Sequence, residues 1–116
     1  MSPPPGFSLA FSGRREMSGE EISVEGLAAS SGVVIVDVRE PDEYAGGHVP
    51  AAVNIPLRDV RGRSGELAAA DTVYVICQSG RRSAFACDAL ASLGIRAVNV
   101  TGGTTAWIAA NLPVHS

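Results

Sequence analysis

The sequence predicts an α/β domain built on a mainly parallel sheet. Val33–Val38, Thr72–Ile76 and Ala97–Val100 are short, nearly unbroken runs rich in β-branched residues. Such runs suit strands covered on both faces, the usual state of parallel sheets. Between the second and third runs lies a pattern of helical period, Arg82–Leu93, and strands alternating with helices give this fold class.

The elements follow in chain order. Met1 to Glu16 reads as a flexible lead, with Pro3–Pro5, Gly6, Gly13 and the charged run Arg14–Glu16. Residues 17–116 read as one domain. The stretch Ser18–Ser23 holds one short strand, and Ser23 is placed to cap a helix over Val24–Ala29, ended by Ser30, Ser31 and Gly32. Val33–Val38 is the first buried strand, and Ala52–Ile55 a shorter one. Thr72–Ile76 leads into the helix Arg82–Leu93, whose stripe Ser83, Ala86, Cys87, Leu90 follows helical spacing and which Gly94 stops. Ala97–Val100 is the last strand, and a final helix spans Thr104–Asn111, before Pro113.

The 116 residues fit one domain, and a hydrophobic share of 46% supports a core without a disulfide or metal staple. With aromatics at 5%, that core is mostly aliphatic. A net charge of −3 offers no global attraction to nucleic acid or an anionic membrane. All nine basic residues are Arg, so each local positive site is permanently charged and able to make forked contacts with oxyanions. Cys77, Cys87, His48 and His115 show no metal-ligand spacing and no C-x-x-C. Met1–Phe11 lacks the basic start and apolar run of a signal peptide, and no stretch approaches a membrane span. The expectation is a cytoplasmic protein with neither metal nor cofactor, and nothing in the sequence demands more than a monomer.

In an open parallel sheet, ligands bind beyond the carboxyl ends of strands. Here those ends carry Asp37-Val38-Arg39, Cys77–Arg82 and Thr101-Gly102-Gly103. A cysteine between a buried strand and a helix sits at the positive helix end, where free N–H groups favour an anion. Such surroundings lower a thiol pKa from about 8.5 to roughly 3.5–7.5. Arg81 and Arg82 add fixed charge, and Gly80 lets the backbone curl so that N–H groups converge on the sulfur. The expectation is an accessible, ionised Cys77 that attacks sulfur, with the same N–H groups of Gln78, Ser79, Gly80 and Ser83 holding a persulfide and Arg81 or Arg82 orienting an anionic donor. No His adjoins the loop in sequence, which suits attack on sulfur better than acyl transfer.

These residues resemble the rhodanese-like domain family, in its compact single-domain form. The resemblance rests on Val36-Asp37-Val38-Arg39-Glu40-Pro41-Asp42-Glu43-Tyr44, on Gly47-His48-Val49-Pro50-Ala51-Ala52-Val53-Asn54-Ile55-Pro56, on the Cys77–Ser83 loop, and on Asn99-Val100-Thr101-Gly102-Gly103 followed by Ala106-Trp107 and Leu112-Pro113-Val114. It implies a three-layer α/β/α fold and a six-residue active loop, Cys77 to Arg82. It also implies transfer of sulfane sulfur from thiosulfate or a similar donor to cyanide, a thiol or a protein acceptor. Ala51 stands where many relatives have glycine, and Leu57–Ala70, with Arg58, Arg61 and Arg63, is shorter than the corresponding segment of many relatives.

Other residues receive structural readings. Cys87 lies on an apolar stripe and reads as core rather than a redox partner. Asp37 and Arg39 read as an ion pair shaping the floor of the site. Glu40, Asp42 and Glu43 read as favourable charges at a helix start. His48 holds a turn, Trp107 packs beneath Gly102-Gly103, and His115 lies at a frayed end. Phe85 falls off the apolar stripe and is a candidate partner contact. Arg58, Arg61 and Arg63 form a solvated loop or, less simply, dock an acidic protein.

Two other functions compete. One is a phosphatase or arsenate reductase: some cell-cycle phosphatases share the fold, but their loops are one residue longer, and Ile76 stands where cysteine phosphatases usually have His. The other is a non-catalytic module that binds a partner or senses oxidation through Cys77.

Overall fold

The computed structural model describes residues 19–116; the segment read as a flexible lead lies outside them. Strand β1 (Glu21–Ile22) is followed by helix α1 (Val24–Ala28), then β2 (Val34–Asp37), α2 (Pro41–Ala45) and β3 (Val53–Asn54). Two single 3-10 turns, Leu57–Asp59 and Ser64–Glu66, lead to β4 (Val73–Ile76), α3 (Arg81–Ser92), β5 (Ala97–Val100) and α4 (Gly103–Ala109). All five strands are parallel, in the order β1-β5-β4-β2-β3.

Side chains alternate across a strand, so the apolar runs serve two cores at once. Val36, Val73 and Val75 point to one face, under Ala86, Cys87 and Leu90 of α3 and Val60 and Leu67 of the 3-10 segment. Ile35, Ile76 and Val100 point to the other, under Val24 and Leu27 of α1 and Trp107 of α4. This is the expected three-layer arrangement. All four stripe residues of α3 are buried, Ser83 included. The expected cap at α1 is present: the Ser23 hydroxyl accepts from Gly26 N–H at 3.0 Å. Among the described residues, no helix is long and apolar enough to cross a membrane.

Three expectations need correction. Val34, at the start of its run, is partly exposed rather than covered on both faces. His115 is not frayed: its backbone bridges to His48, with His48 N–H donating to His115 O at 2.8 Å and His115 N–H returning to His48 O at 2.9 Å. The same His48 stacks on Tyr44 and places Nδ1 2.8 Å from Tyr44 O, so it does hold the turn after α2. Trp107 is buried, but the glycines before it serve other contacts. A Cβ on Gly103 would lie 2.5 Å from Cys77 O and 2.6 Å from Gln78 O. The missing side chain of Gly103 admits the cysteine loop, whereas a Cβ on Gly102 would lie 2.6 Å from Ala106 Cβ.

Candidate active site

β4 ends at Ile76, and the chain turns through Cys77–Gly80 into α3. The turn requires Gly80, whose φ of +106° is a region L side chains rarely adopt. Gly80 N–H then points back at Cys77 Sγ, 3.1 Å away. From the first turn of α3, Ser83 Oγ stands 3.2 Å from the same sulfur. Burial pushes the Cys77 thiol up, but the Ser83 hydroxyl and the backbone N–H groups of Ser83, Gly80 and Ser79 pull it down, and the net is below the ordinary thiol value. At the strand–helix bend, Gly80 N–H and the Ser83 hydroxyl thus converge on one sulfur.

One expectation fails. Cys77 is only 1% exposed, not open to solvent. The start of α4 closes on the loop from below: Thr104 N–H and Oγ1 donate to Cys77 O at 2.9 and 3.0 Å, and Thr105 N–H donates to Gln78 O at 3.1 Å. Cys77 itself belongs to the buried cluster under α3, with Val36, Val38, Ala86 and Cys87.

Asp37 and Arg39 are buried and paired at the end of β2. Asp37 accepts from Arg39 N–H at 3.0 Å and from Arg39 Nη2 at 2.8 Å. The guanidinium also donates to Gly47 O at 2.8 Å and to Gln78 Oε1 at 3.2 Å. With every face of the fork used, the pair joins β2, the turn after α2 and the cysteine loop. A buried charge needs this degree of partnering. Gln78 is held at its other end, where Nε2 donates to Thr105 Oγ1 at 2.7 Å.

The two arginines of the loop differ. Arg81 is exposed. Arg82 makes a forked pair with Glu43 of α2, at 2.8 and 3.0 Å, so its donors are engaged. Glu43 also accepts from Glu40 N–H at 2.9 Å. The Arg82 guanidinium, helped by that N–H, lowers the Glu43 carboxyl to about 2. Glu43 thus reaches 39 positions along the chain as well as serving its helix start, a role that sequence reasoning missed.

Asn99 of β5 was also missed, although a lone polar residue among the apolar neighbours of a buried strand was a visible signal. Its Nδ2 donates to Gly80 O at 3.1 Å, and its Oδ1 lies 2.5 Å from Ser83 Oγ. Cys87 is buried, and burial pushes its thiol up to about 12, as suits a core residue. Phe85 is 64% exposed on α3, off the buried stripe. Arg58 and Arg63 pair with Glu40 and Glu66 at the surface. Among the described residues no group of three or more His, Cys, Asp or Glu is placed to hold a metal.

A sulfur that accepts from a backbone N–H and faces a hydroxyl at a helix start lies in surroundings that favour its charged form. Known proteins share the arrangement's frame. The chain is 36% identical over 100 residues to a protein named sulfurtransferase from Allochromatium vinosum, covering 85% of this chain and 92% of that one. It is 40% identical over 92 residues to Bacillus subtilis YrkF; the match covers 75% of this chain but only 50% of that longer protein. Among solved structures, a rhodanese-related protein from Thermoplasma volcanium superposes with a TM-score of 0.78 at 34% identity, over 83% of this chain and 97% of that one. The Rhodanese-like domain family profile matches residues 23–110, and the chain belongs to that family.

Proposed function

We propose that this protein is a sulfurtransferase that carries sulfane sulfur as a persulfide on Cys77. The observation that carries the reading is the convergence of Gly80 N–H and the Ser83 hydroxyl on Cys77 Sγ, at 3.1 and 3.2 Å. In the first step the thiolate attacks the outer sulfur of thiosulfate or a related donor. A new S–S bond forms, the donor's S–S bond breaks, and sulfite leaves with the electron pair. The Cys77 persulfide then carries the charge on its outer sulfur, where the loop N–H groups of Gln78, Ser79 and Gly80 stabilise it. In the second step a thiophilic acceptor, cyanide or a thiol, attacks that sulfur and expels the Cys77 thiolate. Neither step needs a general base or a cofactor once the thiolate exists.

Arg81, exposed beside the loop, supplies positive charge for an anionic donor. Asp37 and Arg39 hold the floor by fixing Gln78. The name borne by the Allochromatium vinosum relative supports sulfur transfer as the reaction class.

The test is turnover with thiosulfate and cyanide, together with the intact mass. The wild-type protein should gain about 32 Da of labile sulfur after thiosulfate, and Cys77→Ser should neither gain it nor turn over. Multiple turnovers by Cys77→Ser would refute the assignment. The burial of Cys77 favours one second reading, a non-catalytic binding module. A wild-type spectrum without the added sulfur would select it.

A further inference from the structure

Around the sulfur, one hydroxyl proton faces two acceptors. Ser83 Oγ stands 3.2 Å from Cys77 Sγ and 2.5 Å from Asn99 Oδ1. A serine hydroxyl has a single hydrogen to donate. The orientation of Asn99 follows from its other contact: the group 3.1 Å from Gly80 O must be the amide nitrogen, because a carbonyl accepts. The amide oxygen is therefore the end that meets Ser83. Both residues are buried, so water does not readily replace a lost partner.

We infer that Asn99 is a positioning residue that competes with Cys77 Sγ for the Ser83 proton, holding it while the sulfur is neutral and yielding it when the sulfur is charged. With a neutral thiol, Ser83 donates to Asn99 Oδ1. When the thiol ionises, a charge-assisted bond to Sγ becomes the stronger choice and the hydroxyl rotates. No proton is transferred; only the O–H bond turns. Resting on the persulfide reading, the same competition has a catalytic consequence. In the persulfide the inner sulfur is neutral, so the hydroxyl returns to Asn99. As the acceptor draws off the outer sulfur, negative charge returns to Sγ, and the hydroxyl swings back to stabilise the leaving thiolate. Asn99 thus keeps a donor in reserve for the step that needs it.

The competition fixes the sign of an effect. Removing the acceptor at position 99 leaves Ser83 free to donate to the sulfur at all times, which favours the thiolate. The pH midpoint of Cys77 alkylation by iodoacetamide should fall by about one unit in Asn99→Leu. The fall should vanish when Ser83→Ala is the background. Asn99 acting only as an anchor for the loop, through Gly80 O, predicts the opposite: a misaimed cradle, a raised midpoint, and persistence of the change without Ser83. Asn99→Val, with a strand-favouring side chain, repeats the measurement should the Leu variant lose its fold. In the unaltered protein, the side-chain carbonyl 13C signal of Asn99 should titrate with the alkylation midpoint, and this needs no variant. A raised or unchanged midpoint in the folded variants, or an Asn99 signal that ignores the titration, overturns the inference. These readouts use no sulfur donor, so failure of thiosulfate to load Cys77 strikes the proposed function and leaves this result standing. If loading succeeds, discharge of the persulfide to a thiol should quicken roughly threefold in Asn99→Leu, because the leaving thiolate is better stabilised. A slower discharge counts against it.

Discussion

At Ala51 the backbone stands at φ +73°, in the left-handed region where a Cβ crowds the following carbonyl. In the sequence Ala51 stands where many relatives have glycine, and the positive φ shows the turn being made with a Cβ in place, at a cost. Ala51→Gly should raise unfolding free energy by about 1 kcal/mol, measured by urea denaturation, without altering Cys77 reactivity. A second residue-scale effect arises at Glu43. Its forked contact with Arg82 engages donors that an anionic sulfur donor would otherwise meet. Glu43→Gln weakens that hold and removes a negative charge from the neighbourhood of the loop. The KM for thiosulfate should fall roughly threefold to tenfold, while a neutral persulfide donor is little affected. Equal changes for both donors would show that the charge of Arg82 plays no part in donor binding.

Elements bring these residues into place, and the closest fit is between the cysteine loop and the start of α4. Gly103, at φ +58°, lies where a Cβ would come within 2.5 Å of Cys77 O, a backbone atom that cannot swing aside. Gly103→Ala should destabilise the domain by about 2 kcal/mol or more and raise the Cys77 alkylation midpoint, because the loop must lift and its N–H groups lose their aim. Thermal melting and the alkylation pH profile read the two effects separately. The elements themselves were largely legible. The β-branched runs marked β2, β4 and β5, and the period of α3 placed Ser83, Ala86, Cys87 and Leu90 inward. The two 3-10 turns after β3 were not legible, because single turns have no period to detect. The fit of Gly103 against the loop was not legible either, since a glycine's neighbour can be far away in sequence.

For the molecule as a whole, acid stability depends on pairs that join separate elements. The Glu43 carboxyl is lowered to about 2 from an ordinary value of 4.5, chiefly by Arg82. A depressed carboxylate contributes stability that is present above its unfolded pKa and lost as pH falls through the folded one. The window therefore runs from about pH 4.5 down to about pH 2. Both partners are about one-third exposed, so solvent screening limits the contribution to about 1 kcal/mol. The stability difference between wild type and Glu43→Gln should be present at pH 6 and shrink steadily through that window. A difference independent of pH would mean that packing, not charge, accounts for it. The sequence alone determined the fold class, the buried strands, the stripe of α3 and the bend that holds Cys77, because periodicity, β-branching and a helix-opening glycine act over a few neighbouring residues. Tertiary structure decided what surrounds the sulfur. The strand order sets β5 beside β4, bringing Asn99 to Ser83 and Gly80, and the packing of α2 brings Glu43 to Arg82. It also decided that Cys77 is covered, since the residue belongs to the buried cluster of Val36, Val38, Ala86 and Cys87, whose members come from separate strands and from α3. Contacts across such separations depend on how layers stack, and no local pattern in the chain encodes that.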